Sequence, residues 1–570
     1  MVQRNGRIQL FCLENLWKIP FFRTILRRAM AIPIGKIEEG ERMKLFHWDV
    51  PCQACLVFSL FLSPAVWYTY KIDCMGDKVA EAGNKIISLQ DGFVLLLLFI
   101  FFAAVLPPFV RLCLTLPRSS EKSRGRRLFW PAFFFMAFWQ LPFLLALYPA
   151  PGMNDTLFMM ENPLYGGVQF PWLYSLVYGY GALLGKHLLG SREPVIFLLS
   201  LCQLFLYAYG LTRIVFHVKE RQGEVPALLL YFYFTFLPMV GNYGIAAVRD
   251  GLFSLALAGC MVFMAEKTRG RGASILWFLL LLSLMLLRSN GFFIAAMLML
   301  VSLALQKRRR KEAVLFLLAA ALAFVPGKVI LSYHDWQPLF QESMAIPLQQ
   351  MGRVLVMGGS RSEETIELMN HLLPEEKWKK DYSPATVDFV KWDDDFKRND
   401  LNRGKGAFLL AWLDTGIRNP GLYMEGWMTE TYALWNLDPL DHGVQSRFGW
   451  ALSDENTKHM VPSDNDMLAL GDFPMPFGLK SFLGSYTYSG SRFLGSGLCL
   501  WITLFFCLLF YCGGKKDLIP AALPLLANTL TLLVSTPASA VFRYSFAYVL
   551  GLPLLFILFL YGNGEDEKHR

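Results

Sequence analysis

Gly92-Phe93-Val94-Leu95-Leu96-Leu97-Leu98-Phe99-Ile100-Phe101-Phe102-Ala103-Ala104-Val105-Leu106-Pro107-Pro108-Phe109-Val110 is nineteen residues without a charge. A helix apolar on every side is sunk in a large core or surrounded by lipid. About 20 apolar residues is also the length that crosses a bilayer. The composition of the 570-residue chain decides for lipid. Hydrophobic residues make up 54%, charged residues 17%, and the mean hydropathy is +0.38. A soluble globular chain carries roughly 25% charged residues. That deficit excludes a soluble enzyme, a disordered scaffold and a collagen-like or coiled-coil rod. The 48 Phe and 15 Trp suit lipid and its interface.

Outward from this run, uncharged stretches recur at 51–70, 128–148, 195–212, 225–248, 251–265, 272–287, 289–306, 313–327, 497–514, 518–542 and 544–561. The expectation is an α-helical polytopic membrane protein with about twelve transmembrane helices, several of them short. Residues 1–45 scatter Arg4, Arg7, Lys18, Arg23, Arg27 and Arg28 among Phe11, Leu16, Trp17, Phe21 and Phe22. This is no signal peptide; it reads as a basic interfacial segment on the cytoplasmic face. Two N-terminal spans fill 46–116, and a membrane core fills 128–332.

Orientation follows from the basic connectors. They are Arg118 to Arg127, Lys219 with Arg221, Lys267 to Arg271, Lys307 to Lys311, and Lys515 with Lys516. All fall on the cytoplasmic side only if the apolar stretch 171–189 does not cross. Gly179, Gly181, Gly185, Lys186 and His187 already make it a poor span, so it reads as a helix lying along the outer surface. The outer loop 149–194 then carries surface-lying helices, and 333–495 forms one large, mostly helical extracytoplasmic domain. Spans at 497–561 and a cytoplasmic tail at 562–570 complete the chain, with both termini inside the plasma membrane. Net charge agrees with this partition. Residues 333–495 hold 15 Lys+Arg against 23 Asp+Glu, a net of −8, while the rest carries +17. So partitioned, the overall +9 points to no nucleic acid. None of the ten Cys lies in 333–495, so no disulfide framework is expected there, and Cys52-x-x-Cys55 reads as membrane-facing thiols.

Candidate chemistry gathers outside. Asp155, in Tyr148-Pro149-Ala150-Pro151-Gly152-Met153-Asn154-Asp155-Thr156, is the only acidic residue between Glu121 and Glu161. At the water–lipid boundary it would suit a general base that deprotonates an acceptor hydroxyl; equally, Asn-Asp-Thr suits a helix cap. Arg249, Arg288 and Arg543 stand at edges of uncharged runs, and Arg353 follows Glu342-Ser343-Met344-Ala345-Ile346-Pro347-Leu348-Gln349-Gln350. Guanidinium clamps phosphate through paired donors, or it snorkels to head groups, and Arg249 can also pair with Asp250. Glu342, Gln349 and Gln350 offer sugar-binding donors and acceptors, or merely a polar helix start after Pro347. Asp393-Asp394-Asp395 is either a divalent-cation site or a solvated face. No H-E-x-x-H, Walker loop, G-x-S-x-G or paired C-x-x-C appears.

The order of these pieces resembles the GT-C type membrane glycosyltransferases, and within them a bacterial subfamily of unassigned function. The pieces are Tyr148-Pro149 with Asp155, Gln169-Phe170-Pro171-Trp172-Leu173-Tyr174-Ser175-Leu176, Arg249-Asp250-Gly251-Leu252-Phe253, Arg288-Ser289-Asn290-Gly291, Ile346 to Gln350 with Arg353, and Arg543-Tyr544. The resemblance implies a GT-C-like core and a lipid-linked sugar donor on polyprenyl phosphate or pyrophosphate. It also implies an acceptor in the cell envelope, with Asp155 catalytic, the four arginines on the donor phosphate, and Gln169, Glu342, Gln349 and Gln350 near substrate. Phe170-Pro171 replaces the family's frequent His-Pro. Asn154-Asp155 replaces its frequent acidic pair, which leaves use of a divalent cation open and names no cofactor. Two other readings stand beside the transferase: a lipid or polysaccharide transporter or flippase, and a non-catalytic assembly protein binding a partner through 333–495. Sugar, acceptor and oligomeric state are not legible.

Overall fold

The structure is a computed structural model. It describes residues 50–81, 84–116, 128–152, 154–164, 171–266, 273–305, 309–336, 339–437, 468–469, 494–535 and 542–562, with a few isolated positions between 476 and 483. The basic N-terminal segment, the tail beyond 562, Gln169 and Trp450 lie outside them.

Each of the twelve uncharged runs contains helix among its described residues. Seven helices are long and apolar enough to cross a membrane: α1 (Val50–Met75), α2 (Asp91–Cys113), α3 (Phe129–Ala146), α6 (Glu193–Gln222), α12 (Arg309–Tyr333), α21 (Leu523–Ser535) with its preceding 3-10 turn Lys516–Ala522, and α22 (Ala547–Tyr561) with Phe542–Ser545. A bent pair, α7 (Glu224–Phe236) and α8 (Pro238–Ile245), is apolar enough to cross if the two helices count together, and they meet at 60°. Pro238 has no N–H to continue the ladder, so the bend sits there. The remaining four are only 15 to 17 residues: α9 (Asp250–Ala265), α10 (Ala273–Leu287), α11 (Gly291–Leu305) and α20 (Ser496–Cys512). At 1.5 Å per residue, 15 residues rise about 22 Å, short of a hydrocarbon core about 30 Å thick. Of the about twelve spans expected, several of them short, seven are long and apolar enough to cross, or eight if the bent pair is one span, among the described residues.

The chain forms two compact units. One takes residues 1–63 and 96–116; the other takes 64–95 and 117–570. In the first, Arg111 donates to the Cys52 sulfur at 3.5 Å, and Cys55 is fully buried. Both thiols are buried, whereas the sequence suggested that they face the membrane. In the second unit, α6 packs against α3, α7, α9 and α5 (Trp172–Leu189). Edge-to-face rings at Phe129, Tyr209 and Phe216 fill the seam between α3 and α6. Helix α5 also packs on α4 (Asn154–Glu161) and α10, and the Trp172 indole donates to the Ala323 carbonyl of α12 at 2.7 Å.

Residues 339–437 build the helical domain. α13 (Ala345–Val356) runs through its centre. Around it lie α14 (Glu363–Leu372), α15 (Glu375–Asp381), α16 (Asp388–Lys391), α17 (Arg398–Arg403), α18 (Lys405–Arg418) and α19 (Pro420–Glu430). Leu348, Met351, Met369, Trp378, Val390 and Phe408 belong to one buried core. Asn419-Pro420-Gly421 ends one helix and starts the next, because Pro420 occupies the first turn of α19 where no N–H is needed. α13 and α19 pack side by side across Gly426; a Cβ there would meet the Gln350 Cα at 3.1 Å and the Arg353 Cβ at 3.3 Å. A two-residue antiparallel ladder, unannounced by the sequence, pairs β1 (Pro151–Gly152) with β2 (Leu468–Ala469), with Pro151 opposite Ala469.

Candidate active site

Four segments bring charge together, each at a helix end. Asp155 lies in the first turn of α4. Arg249 and Asp250 stand at the start of α9, Arg288 follows α10, and Arg543 sits in the 3-10 turn ahead of α22. The Arg543 Nη1 donates to the Asp155 carboxylate at 2.8 Å, and the Arg249 Nη2 is 3.9 Å from the same oxygen. The Arg288 Nη1 donates to Asp250 at 2.7 Å. The Tyr544 ring lies under both other arginines, 4.4 Å from the Arg288 guanidinium and 5.1 Å from that of Arg543, a cation–π arrangement.

A buried scaffold fixes these positions. The Ala247 N–H donates to the Pro151 carbonyl at 2.8 Å, and the Thr156 hydroxyl donates to the Ala247 carbonyl at 2.8 Å. The loop carrying Asp155 is thus tied to the segment carrying Arg249. Gln203 of α6 holds that segment from below, donating to the Ala246 carbonyl at 2.5 Å while accepting from the Tyr174 and Tyr178 hydroxyls. Gly251 permits the tight entry into α9, since a Cβ there would lie 2.2 Å from the Tyr243 carbonyl oxygen. Asn290 donates to Thr531 of α21 at 2.8 Å, which pins the turn after Arg288, and Asn528 donates to the Tyr544 carbonyl at 2.9 Å.

The electrostatics follow from the count of charges. Three guanidiniums against two carboxylates leave +1. Burial alone would push the Asp155 carboxyl up. The Arg543 and Arg249 guanidiniums, with the hydrogen bond from Arg543 and the charge of Arg288, hold it below the usual carboxylate range. It is ionised at neutral pH, and a quarter of its side chain stays accessible. No sugar-sized gap separates Asp155 from Arg543; the two are in direct contact.

The structure brings Asp155, Arg249 and Arg543 together, with Arg288 beside them through Tyr544. The four polar candidates described in the 339–437 domain do not join them. Arg353 is fully buried; it donates to Glu425 at 2.9 Å, to the Asn84 carbonyl at 3.0 Å and to the Val79 carbonyl. Gln349 donates to the Ser383 and Pro384 carbonyls, and Gln350 links the Trp412 indole to the Tyr423 carbonyl. Glu342 accepts from Lys391. These bonds tie the four side chains to neighbouring segments of their own domain and to the segment after α1. Asp393 and Asp395 both take Lys377, at 3.0 and 2.6 Å. Among the described residues, no three His, Cys, Asp or Glu are grouped so as to hold a metal ion. Gln203, Tyr174, Tyr544 and Asn528 were not singled out as site residues from sequence. A Gln inside the uncharged run 195–212 is the signal that could have found the first, because a polar amide in lipid needs partners.

One family model matches residues 160–468, which is 309 of 570 positions. The chain belongs to the family of unknown function DUF6020. The matched range holds Arg249, Arg288 and the 339–437 domain, and leaves Asp155 and Arg543 to either side. No curated protein and no solved structure matches the chain.

Proposed function

We propose that this member of DUF6020 is a membrane glycosyltransferase of the GT-C type. It would move a sugar from a polyprenyl-phosphate lipid to a cell-envelope acceptor on the outer face of the plasma membrane. The observation that carries the reading is the ionised Asp155 set against Arg543 and Arg249, on segments far apart in sequence. The residual +1 of the cluster matches the single negative charge of a sugar phosphodiester. As the sugar–phosphate bond breaks, negative charge grows on the phosphate, and fixed guanidiniums stabilise it. The carboxylate takes the proton of the attacking hydroxyl. In this reading the direct Asp155–Arg543 contact is the resting state: donor phosphate takes over Arg543 and frees the carboxylate for the acceptor. The four short helices would cross as thinner spans, and α5 would lie along the outer surface. No divalent cation is required by the reading.

The test is sugar transfer in proteoliposomes supplied with radiolabelled polyprenyl-phosphate sugars and envelope acceptor fractions. Asp155→Asn keeps the side-chain shape and removes the base, so turnover should fall roughly 10²-fold or more. Full turnover in that variant would refute the assignment. A second reading, lipid translocation without transfer, draws on the α7–α8 break, since discontinuous helices line transporter sites. Movement of labelled lipid across the bilayer that survives Asp155→Asn, with no transfer in either protein, would favour it.

A further inference from the structure

Helix α18 is apolar on the side turned away from its own core. Phe408, Trp412 and Thr415 face inward, with Phe408 and Thr415 buried. On the opposite side stand Leu410, Leu413 and Ile417, which are 70%, 50% and 81% exposed. A helix facing water puts polar residues there. Its neighbour α14 does so, exposing Glu363, Glu364 and Glu367. The apolar strip continues along α19, where Pro420 and Met424 are exposed and Trp427 is half-buried, at helical spacing beside exposed Gly421 and half-buried Leu422. The strip ends on a span: the Trp427 indole donates to the Leu533 carbonyl of α21 at 2.8 Å. On that span Leu530 and Val534, 51% and 65% exposed, flank Leu533 on the surface open to lipid. Seven residues of α19 separate Trp427 from Pro420, about 10 Å of rise, within the depth of a head-group layer and its acyl boundary.

We infer that α18 and the start of α19 dock onto the bilayer surface, the lipid face of α21 continuing through Trp427 and Met424 onto Ile417, Leu413 and Leu410. The partner is the lipid interface itself. The argument is continuity: exposed apolar side chains run from α21 through Trp427 and Met424 to Ile417, Leu413 and Leu410, with Asp414 and Arg418 paired to each other at 2.9 Å along the edge of the strip. Trp427 at the junction is the residue type that settles where acyl chains meet head groups.

The full chain in phosphatidylethanolamine–phosphatidylglycerol nanodiscs, at one copy per disc, gives the test. An environment-sensitive fluorescent amino acid is inserted at position 413, at 417, or at Lys380 on the exposed side of α15 as a control. Lipids nitroxide-labelled high on the acyl chain then serve as quenchers. The expected result is loss of emission and a blue shift at 413 and 417, with neither at 380. Ile417→Glu combined with the probe at 413 should restore emission. Because these side chains are exposed, the variants should fold. Water-like, unquenched emission at 413 and 417 would overturn the proposal. If the same variants then crosslink between chains in discs holding two copies, the strip is a contact between copies instead.

Discussion

Arg353→Met tests the division drawn between the charged site and the 339–437 domain. The guanidinium is fully buried and holds together three parts of the chain: Glu425 on α19, and the carbonyls of Val79 and Asn84 in the segment after α1. Glu425 in turn accepts from the Ile87 N–H at 3.0 Å. Methionine fills a similar volume but leaves Glu425 with a buried charge and no cation. Removing one partner of a buried pair costs about 3–5 kcal/mol, and each orphaned carbonyl adds about 1–3 kcal/mol. With about 2 °C or more per kcal/mol for a large domain, the apparent melting temperature in detergent should fall by at least roughly 10 °C. Arg353→Met with Glu425→Leu replaces the pair by apolar groups and should recover much of the loss. Intrinsic tryptophan emission on heating reads both. If Arg353→Met melts within about 2 °C of the parent while sugar transfer disappears, the residue acts on donor, and the structural role argued here is wrong.

Arg543→Lys keeps the charge but loses the planar fork, so it should reduce transfer less than Arg543→Ala; equal loss would remove the phosphate-clamp argument. Asp155 is held below the ordinary carboxylate value, so its pairing energy is complete above about pH 4 and is lost as pH falls through the depressed value. The acid limb of kcat/KM, which reports the free protein with Arg543 still on Asp155, should accordingly lie below about pH 4. Glu430 is fully buried beside Asp388, and burial pushes its carboxyl well above 4.5. The fold keeps a proton that the unfolded chain gives up, so stability falls as pH rises past 4.5, by about 1.4 kcal/mol for each pH unit up to the raised value. Glu430→Gln should melt higher than the parent at pH 8 and equally at pH 4.5; a lower melting point at pH 8 would show that the carboxylate is needed. Gln203→Leu removes the acceptor of the buried Tyr174 hydroxyl, about 1–3 kcal/mol, and takes one donor from the Ala246 carbonyl, which keeps the Val248 N–H, while Tyr178 keeps Ser200; it should impair transfer by loosening the segment that carries Arg249. Unchanged melting and activity would remove Gln203 from the scaffold.

Helix location was legible because absence of charge is a local signal. The runs at 92–110 and 544–561 need no tertiary information to be read as helices wanting an apolar surround. Helix length was less so. The run 225–248 has no charge at all, yet Pro238 divides it, and the 60° bend depends on how α8 packs under Gln140 and Tyr207. Three of the four short helices begin or end at Arg249-Asp250, at Arg288 or at Gly291, where turn chemistry overrides hydropathy; a count of apolar residues does not measure the rise of the helix that forms.

Within the charged site, identity was legible and pairing was not. Arg249 and Asp250 are adjacent in sequence, which invites pairing them. Consecutive residues entering a helix point about 100° apart, so they do not face each other. Asp250 therefore meets Arg288 from the next helix end, and Arg249 turns to Asp155. The Gln349, Gln350 and Arg353 group misled for the opposite reason. Polar residues on α13 look like a wet face, yet nearly every residue from Ala345 to Leu355 is buried, and their side chains serve backbone carbonyls of neighbouring segments. Burial of a polar side chain is set by which chain ends it must satisfy, and those ends come from residues as distant as Val79. The same distance argument gives the Asp155–Arg543 contact its weight. A turn-capping aspartate would find its partners on its own helix, whereas this one finds its closest partner 388 residues away, in the turn before the last span. Closing so long a loop gains nothing locally, so the contact exists because Pro151 and Thr156 are bonded to Ala247, ahead of α9, and α9 packs on α22. A charged pair delivered by the scaffold to one place can be opened by a ligand without unfolding any helix, which is what a phosphate competing for Arg543 requires.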